Sequence, residues 1–398
     1  MNPIHLTHFT ATSCLGNGLA PTLNAMRAQQ SGLAPCRFET VDDLTTYIGE
    51  VDGLGDVTLP RSLGEYDCRN NRLAWLGLQQ DDFSRAVAAA VERYGKRRVA
   101  VLVATSTAGI LQTEQAYRRR DPVTGALPPD FIYRTTHSVY SVADFVRNRF
   151  ALEGPAAVVS TACSSGAKVF AVAARMLTAG LVDAAIIGGV DSLCLTTIYG
   201  FNSLELLAPE PCRPFDPDRN GLSIGEAAAF ILLERAAENL AANAILLLGT
   251  GETSDAYHMS SPHPDGLGAK MAMDAAIKAA HLDADDIDYV NLHGTATPGN
   301  DAAEGKAVAA LFGDRIPCSS TKGTTGHTLG AAGSLEAIIG ALALQHGFLP
   351  GGTNTRRLDP MIPIRYLVNN QESAPRRILS NSFGFGGTNC SLILGRAN

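Results

Sequence analysis

Two kinds of apolar pattern alternate along the chain. Short β-branched runs at 4–10, 98–103, 157–159, 184–189 and 227–233, and again at 244–248 and 289–292, predict strands. Ala-rich segments with apolar positions three and four apart, at 20–30, 83–94, 167–179, 269–280 and 329–344, predict helices. Gly180 ends the third of these as a helix C-terminus commonly ends. The stretch 31–82 reads as mixed, with turns at 53–56 and a polar break at Arg69-Asn70-Asn71-Arg72. Residues 118–150 read as an excursion of loops around Asp121-Pro122 and Leu127-Pro128-Pro129.

The order of these elements repeats. The strand at 98–103 ends in Thr105-Ser106-Thr107, and the one at 289–292 ends in His293-Gly294-Thr295-Ala296-Thr297. The run at 157–159 leads through Cys163 into a helix, and Ile316-Pro317-Cys318-Ser319-Ser320 leads through Thr325-Gly326-His327 into another. The pattern predicts an α/β chain of two βαβ-rich halves, 1–243 and 244–398, whose strand ends converge. Convergent strand ends are where α/β sheets place their ligands.

That convergence gives Cys163 its interest. It sits in a tight turn of small residues between strand and helix, beside unpaired backbone N–H groups and the positive helix end, which favour thiolate over thiol. His293 and His327 come to the same place from the second half, each flanked by Gly and Thr instead of lying on an apolar face. A Cys/His/His metal site is disfavoured, because no two of these residues are closely spaced and no fourth ligand is evident.

Composition narrows the classes. With 398 residues, 45% of them hydrophobic and only 18% charged, the chain can bury a large core and further surface against a partner subunit. A net charge of −7 without a basic run speaks against nucleic acid. The N-terminus lacks the pattern of a secretory signal and no apolar run is long enough to span a bilayer, so a soluble, cytoplasmic protein without membrane insertion is expected. The eight cysteines are scattered without CxxC pairs and are expected to be reduced.

Four motifs carry a resemblance. Ser160-Thr161-Ala162-Cys163-Ser164-Ser165, His293-Gly294-Thr295-Ala296-Thr297-Pro298, Thr321-Lys322-Gly323-Thr324-Thr325-Gly326-His327 and Asn381-Ser382-Phe383-Gly384-Phe385-Gly386-Gly387-Thr388-Asn389 resemble those of the elongating β-ketoacyl-acyl-carrier-protein synthases of the thiolase superfamily. Similarity runs in good register from about residue 155 to the C-terminus. The resemblance implies the thiolase fold, a five-layered αβαβα arrangement, and a decarboxylative Claisen condensation of malonyl-carrier protein with an acyl group held on Cys163. It implies His293 and His327 as oxyanion donors in decarboxylation, with Lys322 and Glu304 as an orienting Lys/Glu pair behind them.

Thr295 and Thr297 match hydroxyls that hold the phosphopantetheine arm, and Phe383 and Phe385 match aromatics at the acyl gate. Thr107 falls at the base of the acyl pocket, and Arg69 and Arg72 fall where relatives greet the acidic acyl carrier protein. No cofactor is implied beyond the carrier's own phosphopantetheine. Family members are dimers, so the partner is a second copy or a paralogous ketosynthase-like subunit. The family usually has Met where this chain has Thr324. That departure, with the polar Thr107, points to a specialised chain, such as one from aryl-polyene or polyketide pathways, alongside ordinary fatty-acid elongation. A non-catalytic acyl-holding subunit and a degradative thiolase remain the alternatives.

Overall fold

The computed structural model describes residues 1–41 and 43–397. Five strands of the first half lie in the order Ile4–Ser13, Ala227–Arg235, Ala184–Asp191, Val99–Ala104, Ala156–Val159, the first two pairings antiparallel and the last two parallel. The second half repeats order and sense with Ile245–Ser254, Thr388–Arg396, Arg377–Gly384, Tyr289–Asn291, Pro317–Ser319. The halves join where Ile4, His5 and Leu6 pair antiparallel with Leu247, Leu246 and Ile245. The expected boundary at 243/244 lies in the connection between Ala227–Arg235 and Ile245–Ser254.

Alternation within the strands sets the layers. In Val99–Ala104, Ala100 and Leu102 face the inner core while Val99, Val101 and Val103 face the outer one, the period-two pattern of a sheet covered on both sides. The inner core is filled by the helices Ser165–Thr178 and Ala332–His346, through Val169, Phe170, Leu335 and Ile338, and it draws on both sheets. Arg69–Leu78, Phe83–Tyr94 and Ser141–Arg149 cover the first sheet outside; Leu267–Ala279 and Pro298–Phe312 cover the second. This is the αβαβα sandwich.

Some elements differ from the sequence reading. The polar break at 69–72 starts the helix Arg69–Leu78, whose Asn70 and Asn71 point inward; Asn71 Nδ2 donates to the Tyr66 carbonyl and to Ser141 Oγ. The loop excursion at 118–150 ends in the helix Ser141–Arg149, and Ile110–Arg118, Leu195–Ser203 and Pro298–Phe312 are further helices that the pattern did not show. Among the described residues no helix is long and apolar enough to cross a membrane, and the eight cysteines are all free.

Candidate active site

The strand Ala156–Val159 stops three residues before Ala162, which takes a left-handed φ of 52°, and the helix begins at Ser165. This turn is held by its own hydroxyls: the Thr161 N–H donates to Ser165 Oγ (2.7 Å), and Ser164 Oγ donates to the Thr161 carbonyl (2.9 Å). Cys163 is thereby turned toward the second half. Its Sγ lies 2.9 Å from His327 Nε2, and the backbone N–H of Phe385 is directed at the same sulfur.

Burial changes the charge state expected from the helix end. It pushes the Cys163 thiol up to about 12, against the opposing pull of Lys322 and the Phe385 N–H. Burial likewise holds both His293 and His327 well below the usual imidazole range, reinforced by the charge of Lys322. The resting pair is a neutral thiol against a neutral imidazole.

His293 follows the strand Tyr289–Asn291, and its backbone is clamped by Glu304. The His293 and Gly294 N–H groups donate to the two Glu304 oxygens, both at 2.8 Å, and Asn381 Nδ2 adds a third bond at 3.0 Å. Burial nevertheless raises the Glu304 carboxyl to about 7. Gly294 has φ 36°, and a Cβ there would meet the Ser320 Cβ at 2.4 Å, so the bend beside His293 needs glycine.

Lys322 Nζ lies 2.5 Å from the His293 carbonyl and 3.4 Å from its Nδ1. An ammonium can only donate, so Nδ1 accepts and Nε2 carries the hydrogen. The expected pairing of Lys322 with Glu304 is corrected here. Lys322 pairs with Glu336 Oε1 at 2.5 Å, whereas Glu304 faces backbone N–H groups because it projects from Pro298–Phe312 behind the His293 strand end. Glu336 was legible in principle: it is the one acidic residue of the helix Ala332–His346.

Cys163, His293 and His327 open on one cavity of about 580 Å³, which Thr295, Thr297, Phe383 and Phe385 also line. The two histidine rings stand edge to face at 5.4 Å, and the hydroxyls of Thr295 and Thr297 lie 2.8 Å apart. Phe385 stacks on Phe201 at 5.7 Å, a cavity residue that carried no signal in the sequence beyond being apolar.

Three proposed residues lie elsewhere. Thr107 is fully buried with its hydroxyl bonded to Asp191 at 2.8 Å, and it is absent from the cavity wall. Arg69 is no free cation for a carrier: it is bound to the buried Glu226 at 2.6 Å and to Glu50 at 3.0 Å. Arg72 is paired with Asp67 at 2.5 Å. Thr324 is also buried, donating to Thr353 Oγ1, so the departure at that position bears on packing against 353. Among the described residues no group of three or more His, Cys, Asp or Glu side chains could hold a metal ion.

Comparison with known proteins matches both halves. Residues 77–239 match the beta-ketoacyl synthase N-terminal domain and 245–356 the C-terminal domain. The chain is 32% identical to 3-oxoacyl-[acyl-carrier-protein] synthase 2 of Vibrio cholerae over 96% of each. It is 38% identical to the mitochondrial 3-oxoacyl-[acyl-carrier-protein] synthase of Arabidopsis thaliana over 67% of this chain, spanning 61% of that protein's length. The ketosynthase ApeO of Xenorhabdus doucetiae, solved in complex with its chain length factor ApeC, superposes with a TM-score of 0.91 at 37% identity, over 100% of this chain and 98% of that one.

Proposed function

Because the chain belongs to the β-ketoacyl synthase family, we propose that it is an acyltransferase that condenses malonyl-carrier protein with an acyl group held as a thioester on Cys163. The observation that carries this is the contact of Cys163 Sγ with His327 Nε2 at 2.9 Å, beside a second neutral imidazole, in a mostly apolar cavity. Sγ attacks the acyl thioester carbonyl with His327 Nε2–H donating to the sulfur, and the thiol proton passes to the departing phosphopantetheine sulfur, which leaves as the thiol. The malonyl thioester then binds with its carbonyl oxygen toward His293 Nε2–H and His327. Loss of CO2 leaves the electron pair as an enolate, whose oxygen these neutral donors stabilise. The enolate carbon attacks the acyl-Cys163 carbonyl, backbone N–H groups of Cys163 and Phe385 hold the developing oxyanion, and collapse expels the Cys163 thiolate.

Thr295 and Thr297 hold the phosphopantetheine arm, and Phe383 and Phe385 gate the acyl chain; their places on the cavity wall support this. The reaction needs no cofactor of its own. Its partners are acyl carrier protein and a second ketosynthase-fold chain, identical or paralogous. Exposed Ile132, Tyr133 and Tyr140 and the half-exposed edge strand Ala156–Val159 offer that chain a face. The acyl chain belongs to a specialised polyene or polyketide series, a reading supported by the likeness to a ketosynthase that pairs with a chain length factor. The site of action is the cytoplasm. A purely acyl-holding subunit would have no use for the Cys163–His327 contact.

Intact mass spectrometry of the protein incubated with saturated and polyunsaturated acyl-carrier proteins tests this. An acyl adduct that is lost in Cys163→Ala is expected, heaviest with the unsaturated donor. No adduct from any donor would overturn the enzyme reading, and preference for saturated donors would return the chain to fatty-acid elongation.

A further inference from the structure

His327 is held differently from His293. His293 is fixed by Lys322 at Nδ1 and by Glu304 at its backbone, whereas His327 Nδ1 is buried with no hydrogen-bond partner among the described residues. The side chain of His327 touches only Cys163 through a hydrogen bond, so its aim depends on the backbone. Upstream, the His327 N–H donates to Ser223 and its carbonyl accepts from Gly225. Downstream, Leu329 takes a left-handed φ of 52°, an uncommon conformation for a branched residue, and the chain then enters the helix Ala332–His346.

One group fixes that turn. The Gly330 N–H donates to Asp191 Oδ2 at 2.6 Å. Asp191 ends the strand Ala184–Asp191 of the first half, and it is fully buried. Its other oxygen, Oδ1, is locked in place by Thr105 Oγ1 (2.7 Å), the Ser106 N–H (2.7 Å), the Thr107 N–H (2.9 Å) and Thr107 Oγ1 (2.8 Å). The space admits no side chain: a Cβ on Gly330 would lie 2.8 Å from both Asp191 Oδ2 and Ser106 Oγ. A carboxylate taking this many donors without a cation is held in one orientation.

We propose that Asp191 is a positioning residue for the reaction: it ties the turn after His327 in the second half to the strand ends of the first, and so sets the Cys163–His327 contact. The inference rests on the condensing reading above. It also accounts for Thr107, whose hydroxyl serves Asp191 instead of the acyl chain.

Asp191→Asn tests it. An amide has one acceptor oxygen, so its NH2 must face either the Gly330 N–H or the donors around Oδ1. The rate of Cys163 acylation should fall about 10- to 100-fold, with the half-saturating donor concentration within about twofold, because only alignment at the reacting pair is lost. In a His327→Ala background the same substitution should change the residual rate by less than about twofold, the coupling expected of a residue that acts through His327. Equal losses in both backgrounds, or full activity of folded Asp191→Asn, would overturn the proposal. If Asp191→Asn does not fold, Thr105→Val, which removes one donor to Oδ1, carries the same test. A loss confined to the His327-containing protein supports the proposal, and an equal loss or none overturns it. Wild type run in parallel separates the two readings: without its own acyl adduct, the condensing chemistry fails first.

Discussion

Lys322 bonds to three groups in a place that water does not reach, and one of them, His293 Nδ1, decides which nitrogen of the ring carries its hydrogen. Its charge is balanced by Glu336, so removing either partner alone leaves a buried, unpaired ion. Lys322→Met should cost about 3–5 kcal/mol in denaturant unfolding, while Lys322→Met with Glu336→Met should recover much of that loss. A double variant as unstable as the single one would show that the pair is not what Lys322 stabilises. The sequence showed Lys322 and both histidines, because the Gly- and Thr-rich turns around them form motifs. It did not show that Glu336, and not Glu304, answers Lys322. Two carboxylates in flanking helices look alike until the helices are packed, and only then does Glu304 meet the N–H groups of His293 and Gly294.

Helices that pack through small residues bring the site together. Gly166, early in the helix Ser165–Thr178, comes so close to the second half that a Cβ would meet the Gly330 carbonyl at 2.6 Å and the Ser334 nitrogen at 2.8 Å. Both obstacles are backbone, and Ser334 Oγ already donates to the Gly166 carbonyl at 2.8 Å. Gly166→Ala should therefore destabilise by about 1–3 kcal/mol and, by displacing Cys163 from His327, lower turnover about 100-fold. Gly200, exposed in Leu195–Ser203 with open space around it, is the contrast. There the same change should stabilise by up to about 1 kcal/mol. Thermal melts of the two variants moving in the same direction would refute the close-approach account. The same chemistry explains which helices could be read. Phe83–Tyr94 is amphipathic and was plain, whereas Arg69–Leu78 turns Asn70 and Asn71 inward, and Pro298–Phe312 carries Gly299 and Gly305 and little apolar asymmetry. Its one clear signal was proline in the first turn after Thr297.

Duplication was legible because each half repeats its order of strands and turns, and the structure carries the repeat down to an alanine with left-handed φ after corresponding strands, Ala108 and Ala296. What repetition along the chain cannot convey is how far the halves depend on each other. Their middle layer is a single core: Phe170 and Leu335, from helices of opposite halves, share it with strand residues of both sheets, and Ile4–Leu6 completes the sheet edge of Ile245–Leu247. Parting the halves at 243/244 would expose that core on each, a cost neither outer layer could offset. The intact chain should therefore unfold as one cooperative unit even though it has the length of two domains. Trp75, the only tryptophan, sits in the first half and is packed near Phe145 at 6.5 Å, so its fluorescence reports that half alone, while far-ultraviolet circular dichroism reports both. The two urea transitions should coincide in midpoint and slope. A fluorescence transition that separates from the dichroism would mean that the first half holds its structure without the second. The site would then be assembled by docking of two preformed units, and Asp191 would act across a true domain interface instead of within one continuous core.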